Sequence, residues 1–210
     1  MAQLMKRTVV FDLGGVMVRI NRTWQAVSEF VGAPIRLPAD RPLLLWESPA
    51  FAAYQEGRLS DEDYHRALGH DLGVGPEEAV LLSRGVLRDG YAGAFELVQE
   101  LHANGIQTGC LSNTVADHWI AMVETDDYPH IRDLQVKLPS HLVGLAKPDP
   151  AIYRLFEERA GASGADIAFF DDLPENVAAA SELRWQAFLI DPYAETVPQM
   201  RARLTEIEWL

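Results

Sequence analysis

Cysteine is nearly absent from this chain of 210 residues: Cys110 stands alone. One thiol closes no internal disulfide and offers no cysteine cluster for zinc or an iron–sulfur centre, which fits a reducing compartment. Positive charge is also scarce. Eighteen Lys and Arg face 31 Asp and Glu, a net of −13, and such a surface repels a phosphate backbone, so no nucleic-acid partner is expected. Nowhere do 18 uncharged apolar residues run together, and Asp12 breaks the first apolar run where a signal peptide needs an unbroken core. The expectation is a cytoplasmic chain with no membrane partner. Gly-x-Ser-x-Gly, the Walker loop and the dinucleotide fingerprint are missing, and His65, His70, His102, His118, His130 and His141 show no metal-ligand spacing. Serine hydrolases, P-loop kinases and NAD enzymes are thereby disfavoured, and the histidines read as surface or helix-end residues.

Apolar residues are plentiful, at 48% of the chain, enough for a sizeable core. Five short apolar runs, Thr8 to Phe11, Ile106 to Leu111, Leu134 to Leu138, Ile167 to Phe170 and Ala187 to Ile190, read as strands covered on both faces. Helical patterns alternate with them. Ala94, Leu97, Val98 and Leu101 stop at Asn104-Gly105, Asp149 precedes Pro150, and Pro174 opens PENVAAASELRW, each a helix-end signal. The fold class expected is α/β, a Rossmann-like parallel sheet with right-handed crossovers.

One connection is too long for a single crossover. Between Asp12 and Ile106 lie 93 residues, whereas a helical crossover needs about a dozen or somewhat more. The excess carries its own helix signals at Thr23, Pro49, Ser60-Asp61-Glu62-Asp63 and Pro76 to Gly85. The expected division is therefore a sheet domain of 1–18 and 89–210, with a helical module inserted at 19–88 and hinged on it.

Ligands of open α/β sheets bind beyond the carboxyl ends of the strands. The polar residues there are Asp12-Leu13-Gly14-Gly15, Ser112-Asn113-Thr114 and Asp171-Asp172, with Lys147 in the loop before a helix. Three carboxylates, a hydroxyl and an ammonium on one edge suit phosphoryl transfer. The steps from Asp12 to Ser112, Lys147 and Asp171 are 100, 35 and 24 residues.

In this order and spacing the segments VVFDLGGVMV, CLSNT, GLAKPDPAIY and FFDDLPENV resemble the four motifs of the haloacid dehalogenase superfamily, over essentially the whole chain. Within it the chain looks most like small phosphatases with D-L-G in the first motif, a group that includes an α-glucose-1-phosphate phosphatase. The resemblance implies that Asp12 is the nucleophile and passes through an aspartyl-phosphate. It implies that Asp171, Asp172, Asp12 and the Gly14 carbonyl bind Mg2+, with Asp172 the more direct ligand. It implies that Ser112 and Asn113 bind the phosphoryl oxygens while Lys147 neutralises charge. Asn176 is either a support for the metal site or an ordinary first-turn polar residue.

Gly14 departs from the pattern, since most phosphatases of the superfamily carry an aspartate there as acid and base, a service worth about 10² to 10⁴ in rate. The expected substrate is a small phosphorylated metabolite, a sugar phosphate with a good leaving group. Its choice is assigned to the inserted module, with Trp46, Glu47, Phe51, Tyr54, Gln55 and Glu56 as candidates to face the pocket, most of the aromatics being core. Arg19, Asn21 and Arg22 lie near the entrance, where a solvated hinge is the plainer reading. Two alternatives stand beside the phosphatase: a metal-independent 2-haloacid dehalogenase, and a catalytically silent binding protein on the same fold. The sequence fixes no oligomeric state.

Overall fold

The computed structural model describes residues 7–36 and 43–210. Five parallel strands form the central sheet: β1 (Thr8–Phe11), β4 (Gln107–Ser112), β5 (Val136–Pro139), β6 (Ile167–Asp171) and β7 (Gln186–Leu189), in the order β5-β4-β1-β6-β7. Each matches an apolar run to within a residue or two. The pleat sends Val9, Phe11, Cys110 and Phe170 to one face and Val10, Leu111 and Phe169 to the other. Both faces are buried, which is why the runs are continuous rather than alternating. The first face is covered by α5 (Ala94–Ala103) and α11 (Thr196–Glu206) with α6 (Ala116–Glu124) and α7 (Pro129–Arg132); α9 (Pro150–Ala160) and α10 (Pro174–Glu182) cover the second. A short helix, α8 (Ser140–Val143), follows β5.

The helix ends follow local chemistry. Asp149 accepts from the Ala151 amide at the start of α9, and after α5 Gly105 takes the left-handed φ of 72° that only glycine adopts without strain.

Among the described residues, four α-helices lie in the inserted part of the long connection: α1 (Trp24–Val31), α2 (Pro49–Gln55), α3 (Asp61–Leu72) and α4 (Pro76–Arg84). Thr23, Ser48 and Ser60 cap three of them with side-chain oxygens. In the expected capping box at Ser60, the Asp63 carboxylate takes the Ser60 hydroxyl rather than the backbone amide. The helices enclose their own core around Trp24, Phe51, Tyr54, Tyr64 and Leu68. Two strands that the sequence reading lacks, β2 (Val18–Ile20) and β3 (Leu87–Gly90), pair antiparallel at the base of this insertion. The expected boundaries at 18/19 and 88/89 fall within that ribbon.

Polar contacts seat the insertion on the carboxyl edge of the sheet. Asp117 in the first turn of α6 receives the Ser83 hydroxyl at 3.0 Å and contacts His65 Nε2 at 2.6 Å. The Ser140 hydroxyl donates to the Gln55 carbonyl at 2.7 Å. None of the described helices is long and apolar enough to cross a membrane.

Candidate active site

Adjacent strands deliver the motif residues to one place. β1 runs out into Asp12, β4 ends on Ser112 and β6 ends on Asp171, with β1 hydrogen-bonded between the other two. Carboxylate oxygens of Asp12, Asp171 and Asp172 lie within 4.8 Å of one another.

Lys147 is the counter-charge. Its Nζ sits 2.9 Å from Asp12 Oδ1 and 2.5 Å from Asp171 Oδ2, with the side chain only 1% exposed. Burial alone would lower its pKa, but the two carboxylates outweigh that and raise it, so the ammonium stays charged. Burial also raises Asp171 and Asp172, with the Asp12 charge adding to it; Lys147 opposes this at Asp171 and Arg22 at Asp172. Three clustered carboxylates against one ammonium and one guanidinium leave the site anionic, an arrangement that attracts a cation.

Asp171 spends its lone pairs within the protein. It accepts from the Leu173 amide at 2.9 Å, from Asn176 Nδ2 at 3.0 and 3.1 Å, and from Lys147. Asn176 thus holds Asp171, and Asp171 anchors the lysine. Asp12 and Asp172 are the carboxylates left to share an ion, while Gly14 lines the same cavity.

Asn113 does something other than expected. Its amide donates to the Lys147 carbonyl and accepts from the Lys147 amide, both at 2.8 Å. The side chain therefore positions the lysine loop, and its second N–H and the Asn113 backbone are left to meet a phosphoryl oxygen. Ser112 makes no side-chain hydrogen bond among the described residues, and it lines the cavity beside Asp12 and Lys147.

Gly15 and Arg22 were not given roles by the sequence. Arg22 pairs with Asp172 and lies over the Tyr193 ring. Gly15 has φ +86°, and a Cβ there would run into both Arg22 and the Asp172 carboxylate. A glycine pair after a strand-ending aspartate was the legible signal for Gly15; Arg22 was placed near the entrance by its position after β1, but its partner, 150 residues away, had no signal.

Of the six insertion candidates, Trp46, Phe51 and Gln55 line the cavity. Tyr54 stacks on Tyr64 and donates to Asp61, Glu47 accepts from the Leu44 amide, and Glu56 pairs with Arg58. Arg19 turns away to Asp89 and Glu195, and Asn21 donates to the Gly85 carbonyl. His118 and His130 are buried rather than superficial.

The profile of the haloacid dehalogenase-like hydrolases matches residues 6–183. The chain belongs to that family. This hydrolase is similar to phosphatase MT3486 of Mycobacterium tuberculosis, 26% identical over 201 residues that span 90% of this chain and 88% of the relative. It is similar to the sesquiterpene phosphatase astK of Aspergillus oryzae, 24% identical over 83% of this chain and 84% of that one. In fold it resembles a family enzyme of Bacteroides thetaiotaomicron solved as an aspartate-to-alanine variant with magnesium and inorganic phosphate. There the TM-score is 0.75 and the identity 19%, over 93% of this chain and all of that one.

Proposed function

We propose that this hydrolase is a magnesium-dependent phosphomonoesterase with Asp12 as nucleophile. The observation that carries the reading is the set of three carboxylates within 4.8 Å of one another, with a buried ammonium bridging two of them. The donor set fits the ion. Magnesium prefers oxygen ligands at about 2.1 Å and keeps several waters, so Asp12 and Asp172 would hold it together with the Gly14 carbonyl. When bound, the cation neutralises phosphoryl charge and orients the ester.

The chain's own residues supply the rest. An Asp12 oxygen attacks phosphorus as the ester P–O bond breaks, and the departing alkoxide takes a proton from solvent because Gly14 offers none. Water then hydrolyses the aspartyl-phosphate, which returns Asp12 and releases phosphate. Lys147 and the Ser112 hydroxyl stabilise the phosphoryl oxygens, and the insertion contributes Leu45, Trp46, Phe51 and Gln55 to the cavity wall. Two relatives named as phosphatases support this reading. The sugar half expected of the substrate has no support in the cavity wall, where large apolar side chains are prominent.

The test is release of phosphate from 4-nitrophenyl phosphate with magnesium and with a chelator. Activity is expected only with the metal, and Asp12→Asn should abolish it. Turnover that survives Asp12→Asn, or that ignores the chelator, would overturn the reading.

A further inference from the structure

The cavity beside Asp12 measures about 350 Å3, within the roughly 300–1,000 Å3 usual for small-molecule sites. Its wall is divided between two kinds of side chain. Asp12, Ser112, Lys147 and Asp172 supply charge and a hydroxyl, while Ile20, Leu45, Trp46, Phe51, Leu87 and Met122 are its large apolar side chains. These six come from β2, the turn before α2, α2 itself, β3 and α6, so the apolar character is assembled by both the insertion and the sheet domain.

Polar side chains on that wall are mostly committed. Arg22 is paired with Asp172, and Gln55 Nε2 donates to the Asn113 carbonyl at 3.2 Å. His118 Nε2 bonds the Ser83 carbonyl at 2.8 Å, and Asn176 holds Asp171. Among the described residues Thr114 and the exposed Glu175 make no side-chain hydrogen bond, and the Asn113 and Gln55 amides each keep one further N–H. The flank of the nucleophile is apolar as well: Ile20 Cδ1 lies 3.2 Å from where a Gly14 Cβ would be, so isoleucine fills the space beside residue 14.

From this division we infer that the alcohol half of the substrate is an apolar alkyl or aryl group rather than a polyol. The inference rests on the phosphatase reading. A sugar bound here sets hydroxyls opposite aliphatic carbon, a loss of about 5- to 150-fold for each one left unpaired. A methylene laid on the same wall gains about 0.8 kcal/mol, which is about fourfold in kcat/KM. Trp46 lines the cavity and is 47% exposed, so it is the apolar side chain of that wall with the most surface left for a longer chain to cover.

The experiment measures kcat/KM of the full chain with magnesium for ethyl, butyl, hexyl and octyl phosphate, below their aggregation concentrations, and for glucose 1-phosphate and glucose 6-phosphate. A rise of about fourfold per methylene, levelling once the cavity is filled, with both sugar esters below hexyl phosphate, is the expected result. A flat series, or a sugar ester that matches octyl phosphate, overturns the inference and leaves the phosphatase reading standing. Loss of turnover on every ester sinks the phosphatase reading instead. In that case calorimetry with the alkylphosphonate series decides the cavity question, since affinity that does not grow with chain length overturns the inference. Trp46→Ser should lower the octyl-to-ethyl ratio and Trp46→Phe should restore much of it, whereas general loss of folded protein lowers both esters alike and leaves the ratio unchanged.

Discussion

Lys147 carries its ammonium into a place almost without water, and two carboxylates keep it charged there. An apolar triad of the same volume would stabilise the fold as well or better, so the cost of burying these charges points to chemistry rather than folding. Removing one partner is different, because it strands the others. Lys147→Met is expected to cost about 3–5 kcal/mol, read as a lower urea midpoint. A loss below about 1 kcal/mol would mean that Asp12 and Asp171 do not depend on it. Gly14 invites the opposite change. Gly14→Asp should bring no gain in kcat, since the new side chain meets Ile20. Gly14→Asp with Ile20→Ala should exceed the single variant by about 10²-fold, the lower end of what a positioned general acid supplies. Equal rates in the two variants would show that space beside Ile20 is not the obstacle. Asp12, Ser112, Lys147 and Asp172 were legible in the sequence because each ends a strand or opens a loop at one edge. The partners chosen by Asn113 and Arg22 were not, because they depend on which loops meet after folding.

At the scale of elements, Asp117 joins α6 to α3 and α4 through His65 and Ser83. Hydrogen bonds to a charged group contribute about 1.5–3 kcal/mol. Asp117→Ala should lose that much, and hydrogen exchange should speed up in residues 61–84 before it does in the sheet. Uniform acceleration across the chain would show that the contact does not seat the insertion locally. The five parallel strands were readable because strands buried on both faces are apolar throughout, and the insertion because its length exceeded any crossover. VRI of β2 and LRDG of β3 escaped notice for the converse reason. They are short, partly exposed and charged, and only their pairing makes them strands. His118 sits in the first turn of α6, a helix-end residue, but the helix turns it inward toward the Ser83 carbonyl, a contact that no local pattern announces.

For the whole molecule, acid is the condition to examine. Burial lowers the pKa of His118 and His130, although hydrogen bonds to the Ser83 and Met17 backbones oppose this. In the unfolded chain both take a proton near the ordinary value of about 6.5. The contribution of these two histidines is therefore complete above that pH and declines as pH falls below it, by up to about 1.4 kcal/mol per unit for each that stays neutral when folded, while Asp171 and Asp172, whose carboxyls are raised on folding, contribute with the opposite sign. Urea midpoints between pH 7.5 and 5.5 should show the decline, and His118→Gln should make it shallower; an unchanged slope would place the sensitivity elsewhere. One last consequence comes from the antiparallel ribbon. Ile20 and Leu87 face each other across it, so a two-residue turn could join them and close the stem with every helix of the insertion removed. None of the pairings in the five-stranded sheet would be disturbed. The fold is thus built like a rootstock with a graft union: exchanging the scion would replace Leu45, Trp46 and Phe51 of the cavity wall and leave Asp12, Ser112, Lys147 and Asp172 in the stock.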